Sequence, residues 1–110
     1  MARLPAIDFG ALCDELESLV TAPPQRGGAA RARFERTLTD GYAQALTLEG
    51  ERMKLERRIG QVASEVSVER RGAKTEELAD LSRRLRRASS DLAHLRELLA
   101  AARRHVSAAA

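Results

Sequence analysis

Aromatic residues are scarce in this 110-residue chain, which has one tyrosine, two phenylalanines and no tryptophan. That scarcity argues against the aromatic-centred core of a β-sandwich. Cysteine is scarcer still: Cys13 stands alone, so it closes no disulfide within the chain and has no second thiol for a cysteine-based metal site. His94 and His105 are eleven positions apart, and neither has a His, Cys or clear carboxylate partner at ligand spacing, so neither a metal nor any other cofactor is expected. No stretch approaches the roughly 18 to 20 consecutive apolar residues of a membrane span. Met1 to Gly10 also lacks the basic-then-apolar order of a signal peptide. A cytoplasmic protein without membrane contact is therefore expected, and the lack of catalytic groupings argues against an enzyme.

The chain is rich instead in Ala, Leu, Arg and Glu, with 44% hydrophobic and 32% charged residues. This is helix composition. In residues 5–20, Phe9, Leu12, Cys13, Leu16, Leu19 and Val20 recur at spacings of three and four, the mark of one apolar helix face. Asp8 is a natural N-cap, Asp14, Glu15 and Glu17 fall on the opposite face, and Pro23-Pro24 forbids continuation. The helix should end near Thr21, and TAPPQRGGAA reads as a linker.

From Ala30 onward a longer pattern begins. Phe34, Leu38, Gly41, Ala45, Leu48, Arg52, Leu55, Ile59, Val62 and Val66 alternate spacings of four and three, and only Gly41 and Arg52 are not apolar. After ERRGAKTEE, the series Leu78, Leu81, Leu85, Ala88, Leu92, Leu95, Leu99, Ala102 and Val106 repeats the alternation. Gly72 suits a left-handed C-cap between the two series, and Thr75 suits the N-cap of the next helix. Two such seams joined by a short turn specify an antiparallel hairpin with coiled-coil packing. Folding about Gly72 makes facing residue numbers sum to about 144, which sets Ile59 near Leu85, Leu55 near Ala88 and Arg52 opposite Leu92. Gly50 and Gly60 each lower helix stability by about 1 kcal/mol relative to alanine, which allows a break near Gly41 or Gly50. The expected organisation is all-α: an amphipathic helix within 1–21, a linker at 22–30, and a long antiparallel helical hairpin over 31–110.

A two-helix seam leaves half of each helix wet, so further contacts are expected. Residues 9–20 can cover the open end of the hairpin, near Tyr42, Leu46, Met53 and Leu98, to make a three-helix bundle. Alternatively, Phe9, Leu12, Leu16 and Leu19 offer their apolar face to a protein partner or a second copy.

Charge provides the second candidate surface. Arg83, Arg84, Arg86 and Arg87 form the run RRLRR, which the expected register places beside Arg57 and Arg58. These six side chains either form a network with Glu56, Glu65, Asp80 and Asp91 or bind an anion through their forked donors. A nucleic-acid-associated protein is the runner-up reading, weakened by a net charge of only +3 and interleaved acids and by the lack of aromatic stacking platforms. A structural coiled-coil subunit is a third. Residues 1–30 hold two arginines and four acids, whereas 31–110 hold 17 bases and 12 acids. An acidic helix thus precedes a basic hairpin.

The segment ELADLSRRLRRASSDLAHLRELL, Glu77 to Leu99, resembles the helix of the RsiG-type anti-sigma factors of actinobacteria. The resemblance rests on Glu77, Leu78, Leu81, Asp91, Leu92, Leu95, Arg96, Leu98 and Leu99. It implies a helical hairpin that sequesters a sporulation-type sigma factor and binds cyclic di-GMP through a Glu, Ser, Arg, Gln, Asp series on two antiparallel helices. Here that series falls on Ser89, Ala93, Arg96, Ala100 and Arg104, so only the arginine is kept. The other helix keeps Arg57, Gln61 and Glu65 but has Gly50 and Lys54 in place of Glu and Ser. Arg57 faces position 87 in the expected register, roughly 13 Å along the helix from Arg96 at 1.5 Å per residue. The resemblance therefore implies a partner-binding hairpin, with a sigma factor as the partner, whose dinucleotide site is broken.

Overall fold

The computed structural model describes residues 8–21, 27–65 and 71–109. They form three helices, α1 (Phe9–Thr21), α2 (Gly28–Ser64) and α3 (Arg71–Ala109), with no strand among the described residues. The all-α class expected from composition and periodicity is the class found.

The caps explain where the helices begin. Asp8 caps α1 as its side chain predicts: Oδ1 accepts the Ala11 N–H at 3.2 Å, and its carbonyl accepts the Leu12 N–H at 3.0 Å. Helix α2 starts earlier than the linker reading allows, with the Gly27 carbonyl accepting the Arg31 N–H at 2.9 Å. Ala29 and Ala30 favour helix strongly enough to extend it backwards. The remainder of the expected linker, 22–26, lies outside the described residues.

Gly41, Gly50 and Gly60 all lie within α2 without breaking it. Their intrinsic cost is small beside the packing of the seam on either side, since tertiary burial supplies most helical stability in proteins. At its end, the Glu65 N–H is shared between the Gln61 and Val62 carbonyls at 3.2 and 3.1 Å, while Ser64 Oγ donates to the Gln61 carbonyl at 2.8 Å. These bonds tighten the last turn and satisfy carbonyls that a helix end leaves open. Val66 lies outside the described residues, as does the side chain of Val106.

The expected turn requires correction. Helix α3 begins at Arg71, so Gly72 and Thr75 lie within its first turns, and no described glycine has positive φ. Gly72 is therefore not a left-handed C-cap, and Thr75 is not an N-cap. Three contacts fall earlier in α3 than folding about Gly72 expects. Arg58 reaches Glu77, Glu65 reaches Lys74, and the site of a Cβ on Gly41 meets Leu99, where folding about Gly72 would have placed positions 86, 79 and 103. The offsets are nine, five and four positions, part of which long side chains span, while the core still joins Leu55 with Ala88 and Ile59 with Leu85 in one cluster.

The chain divides into two compact units, residues 1–45 with 94–110 and residues 46–93. The first is a three-helix arrangement in which Leu12, Cys13, Leu16, Thr37, Ala45, Leu95, Leu99 and Ala102 are buried. Here α1 packs on both long helices: Leu16 is fully buried, and the Cβ position of Gly41 lies 3.7 Å from Leu16 Cδ1 and 2.6 Å from Leu99 Cδ2. The second is an antiparallel pair of helices. Its core cluster joins Leu55, Val62, Leu81 and Ala88 with the half-buried Ile59, Leu78 and Leu85. Each large aliphatic side chain so buried stabilises by roughly 1.5 to 3 kcal/mol.

Candidate functional site

The apolar face of α1 is divided by its docking. Leu12 and Leu16 are core residues of the first unit, 5% and 0% exposed, whereas Phe9 and Leu19 are half-buried at its margin. The bundle has taken up Leu12 and Leu16, two of the four residues expected to meet a partner or to close the bundle. Polar contacts hold the same helix. The buried Thr37 hydroxyl donates toward Glu15 Oε1 at 2.8 Å, with the Arg33 carbonyl at 3.0 Å as a second acceptor, and Glu17 lies 3.9 Å from His94 Nε2. Thr37 lies one position before the counted seam residue Leu38, so the four-three count could not reveal its burial.

The arginines are also divided, and this corrects the expected cluster of six. Arg58 Nη2 donates to Glu77 Oε1 at 2.7 Å, and Arg83 Nη2 lies 3.5 Å from Asp80 Oδ1. Arg57 and Arg86 are exposed and do not line the groove that the second unit forms between its helices. That groove has Leu48, Leu55, Leu81 and Ala88 as its apolar lining, and Lys54, Arg58, Arg84 and Arg87 as its bases, with Glu51 and Asp91 among them. Arg58 instead finds Glu77, nine positions before the residue that folding about Gly72 would set opposite it.

The expected acid network forms only in part. Asp80 pairs with Arg83, but Glu56 pairs with Arg52 at 3.5 Å and Glu65 with Lys74 at 3.0 Å. Lys74 also approaches Glu77 at 3.8 Å. The bridges from Glu65 and Glu77 therefore occupy the end of the pair nearest its turn. Further along, Lys54, Arg84 and Arg87 form no ion pair among the described residues. Lys54 could have been found from sequence, since Glu51, Lys54 and Arg58 share one face of α2 at spacings of three and four; Arg84, Arg87 and Asp91 do the same on α3.

Chemically the groove combines an apolar floor with forked cationic donors. It can bury a hydrophobic side chain and hold a carboxylate or phosphate at its rim. Among the described residues, no group of three or more His, Cys, Asp or Glu side chains is placed to hold a metal ion. No helix is long and apolar enough to cross a membrane among those residues. Comparison of the chain with family models, curated proteins and solved structures finds no match.

Proposed function

We propose that this chain is a small, non-enzymatic protein-interaction module of the cytoplasm, acting as a regulator that holds a protein partner on its helical hairpin. The observation that carries the reading is the groove of the second unit, where apolar Leu48, Leu55, Leu81 and Ala88 lie beside Lys54, Arg84 and Arg87, which have no ion pair among the described residues. Interfaces that recognise helices combine such apolar pockets with charges that steer and orient the partner. The resemblance of Glu77 to Leu99 to an anti-sigma helix makes a sigma factor the first partner to test. Its broken dinucleotide series supports a module that works without cyclic di-GMP.

The test is affinity capture from a nuclease-treated extract of the source organism, comparing the wild-type chain with a variant carrying alanine at Arg83, Arg84, Arg86 and Arg87. All four positions are exposed, and alanine favours helix, so circular dichroism should show the variant as helical as the wild type. One protein retained by the wild type and lost from the variant is expected. Equal retention by both removes the groove from the function, and recovery of nucleic acid alone without nuclease favours the runner-up. Saturable cyclic di-GMP binding that the variant loses would overturn the reading of the broken series.

A further inference from the structure

Each unit on its own shows what the α2 and α3 surfaces accept. In the first, the third helix is α1, FGALCDELESLVT, which has three acids, no base, and Leu12, Cys13 and Leu16 buried beneath it. Its acids hold polar partners on the long helices, Glu15 at Thr37 and Glu17 near His94. In the second, the same two helices are packed as a pair, and the described residues supply no third helix. Leu48, Leu55, Leu81 and Ala88 line its groove, where the bases Lys54, Arg58, Arg84 and Arg87 outnumber the acids Glu51 and Asp91.

Resting on the interaction-module reading, we infer that the groove of the second unit binds an acidic amphipathic helix supplied by the partner, which packs there as a third helix. Charge complementarity selects this occupant. Residues 81–90 hold four arginines and no acid, and only Arg83 of the four forms an ion pair among the described residues. A basic or neutral helix would bring no carboxylate to Lys54, Arg84 and Arg87, whereas acids flanking a leucine stripe would meet them as its apolar face enters the groove. A nucleic acid would engage the same bases but make no use of the apolar floor that Leu48, Leu55 and Leu81 give the groove.

The test uses the full chain and a fluorescent synthetic peptide of residues 8–21 with Cys13→Ala, read by anisotropy at low and moderate salt. The peptide carries Asp8, Asp14, Glu15 and Glu17 and no base. Saturable binding that persists at moderate salt is expected. It should weaken tenfold or more in an Arg84→Glu, Arg87→Glu variant and return when the peptide's Asp14, Glu15 and Glu17 are replaced by lysine. Binding unchanged by the charge reversal would show the peptide exchanging with α1 of the first unit, and would overturn the inference. So would tighter, steeply salt-dependent binding of duplex DNA, or a dimer in sedimentation equilibrium that the reversal abolishes, which would place a second copy in the groove. Capture of one protein by the wild type but not by the alanine variant, without peptide binding, would leave the module reading standing and remove the acidic helix from it.

Discussion

Gly41 offers a sharp test of the packing, because the helix preference and the contact act in opposite directions there. Alanine is better than glycine within a helix by about 1 kcal/mol. Gly50 and Gly60 have no atom within 4 Å of a Cβ placed on them, so Gly50→Ala and Gly60→Ala should each stabilise by roughly 0.5 to 1 kcal/mol. At Gly41 the new Cβ would lie 2.6 Å from Leu99 Cδ2 and 3.5 Å from Leu99 Cγ. Carbon atoms in contact normally sit about 3.5 to 4.0 Å apart, so one of them must retreat by about 1 Å. Leu99 is 3% exposed and has Leu16 close by, which leaves it little room. Overpacking of this kind costs typically 1 to 3 kcal/mol. Gly41→Ala should therefore lower stability by about 1 kcal/mol, or about 4 to 8 °C in Tm for a domain of this size. Thermal and urea unfolding followed at 222 nm would compare the three alanine variants. Repeating Gly41→Ala with Leu99→Ala, in the background stabilised at Gly50 and Gly60, should reverse its sign, with a coupling of at least about 1 kcal/mol. A Gly41→Ala variant that gains as much as the other two would refute the close approach of α2 and α3 at Leu99.

Other perturbations probe the remaining contacts. Arg52 is a half-buried seam residue whose ion pair with Glu56 is exposed and 3.5 Å long; Arg52→Leu keeps helix preference and adds apolar burial, so Tm should rise by a few degrees for about 1 kcal/mol. Thr37→Val removes the hydroxyl between Glu15 and Arg33 at a site only 3% exposed and should destabilise by about 1 kcal/mol in urea unfolding, with Glu15→Gln losing less because its amide oxygen can still accept. In hydrogen exchange, the amides of α1 should open before those of Leu81 to Leu99, since α1 buries only Leu12, Cys13 and Leu16 and can undock without unzipping the seam; simultaneous exchange would mean that α1 is integral to the global unfolding unit.

The periodicity of the chain carried most of the fold. Spacings of four and three identify Leu48, Leu55 and Val62 on α2, and Leu81, Ala88, Leu92, Leu95 and Leu99 on α3, all of them buried. Asp8 was legible because an N-cap depends on local chemistry alone. Thr37 was not, because its burial depends on where α1 docks. Gly41 interrupts the apolar series in sequence, and the reason lies across the seam, where Leu99 packs against it. The turn was misplaced for a related reason: Gly72 permits a left-handed cap, but nothing in its local sequence requires one, and Lys74 and Glu77 form their bridges to Glu65 and Arg58 from within a helix that already includes it.

Which charges meet across the two helices decides the electrostatics of the candidate site. Hydrophobic seams tolerate a shift of about one turn because similar aliphatic residues recur every three or four positions, so the periodic count is nearly degenerate between neighbouring registers. Charges break the degeneracy. Arg58 meets Glu77 at 2.7 Å and Glu65 meets Lys74 at 3.0 Å, so an acid on the facing helix answers Arg58 although it lines the groove with Arg84 and Arg87. Like charges brought together on facing helices repel, and opposite charges that flank a coiled-coil seam set its alignment even where each exposed pair contributes less than about 1 kcal/mol to stability. The bridges near the turn thus favour the alignment that leaves Lys54, Arg84 and Arg87 along the groove without an ion pair among the described residues. The cationic face proposed for partner binding follows from the same charge pattern that aligns the hairpin, and a Glu77→Arg substitution, which sets like charges against each other at the groove residue Arg58, should weaken partner capture; capture left unchanged would refute the link.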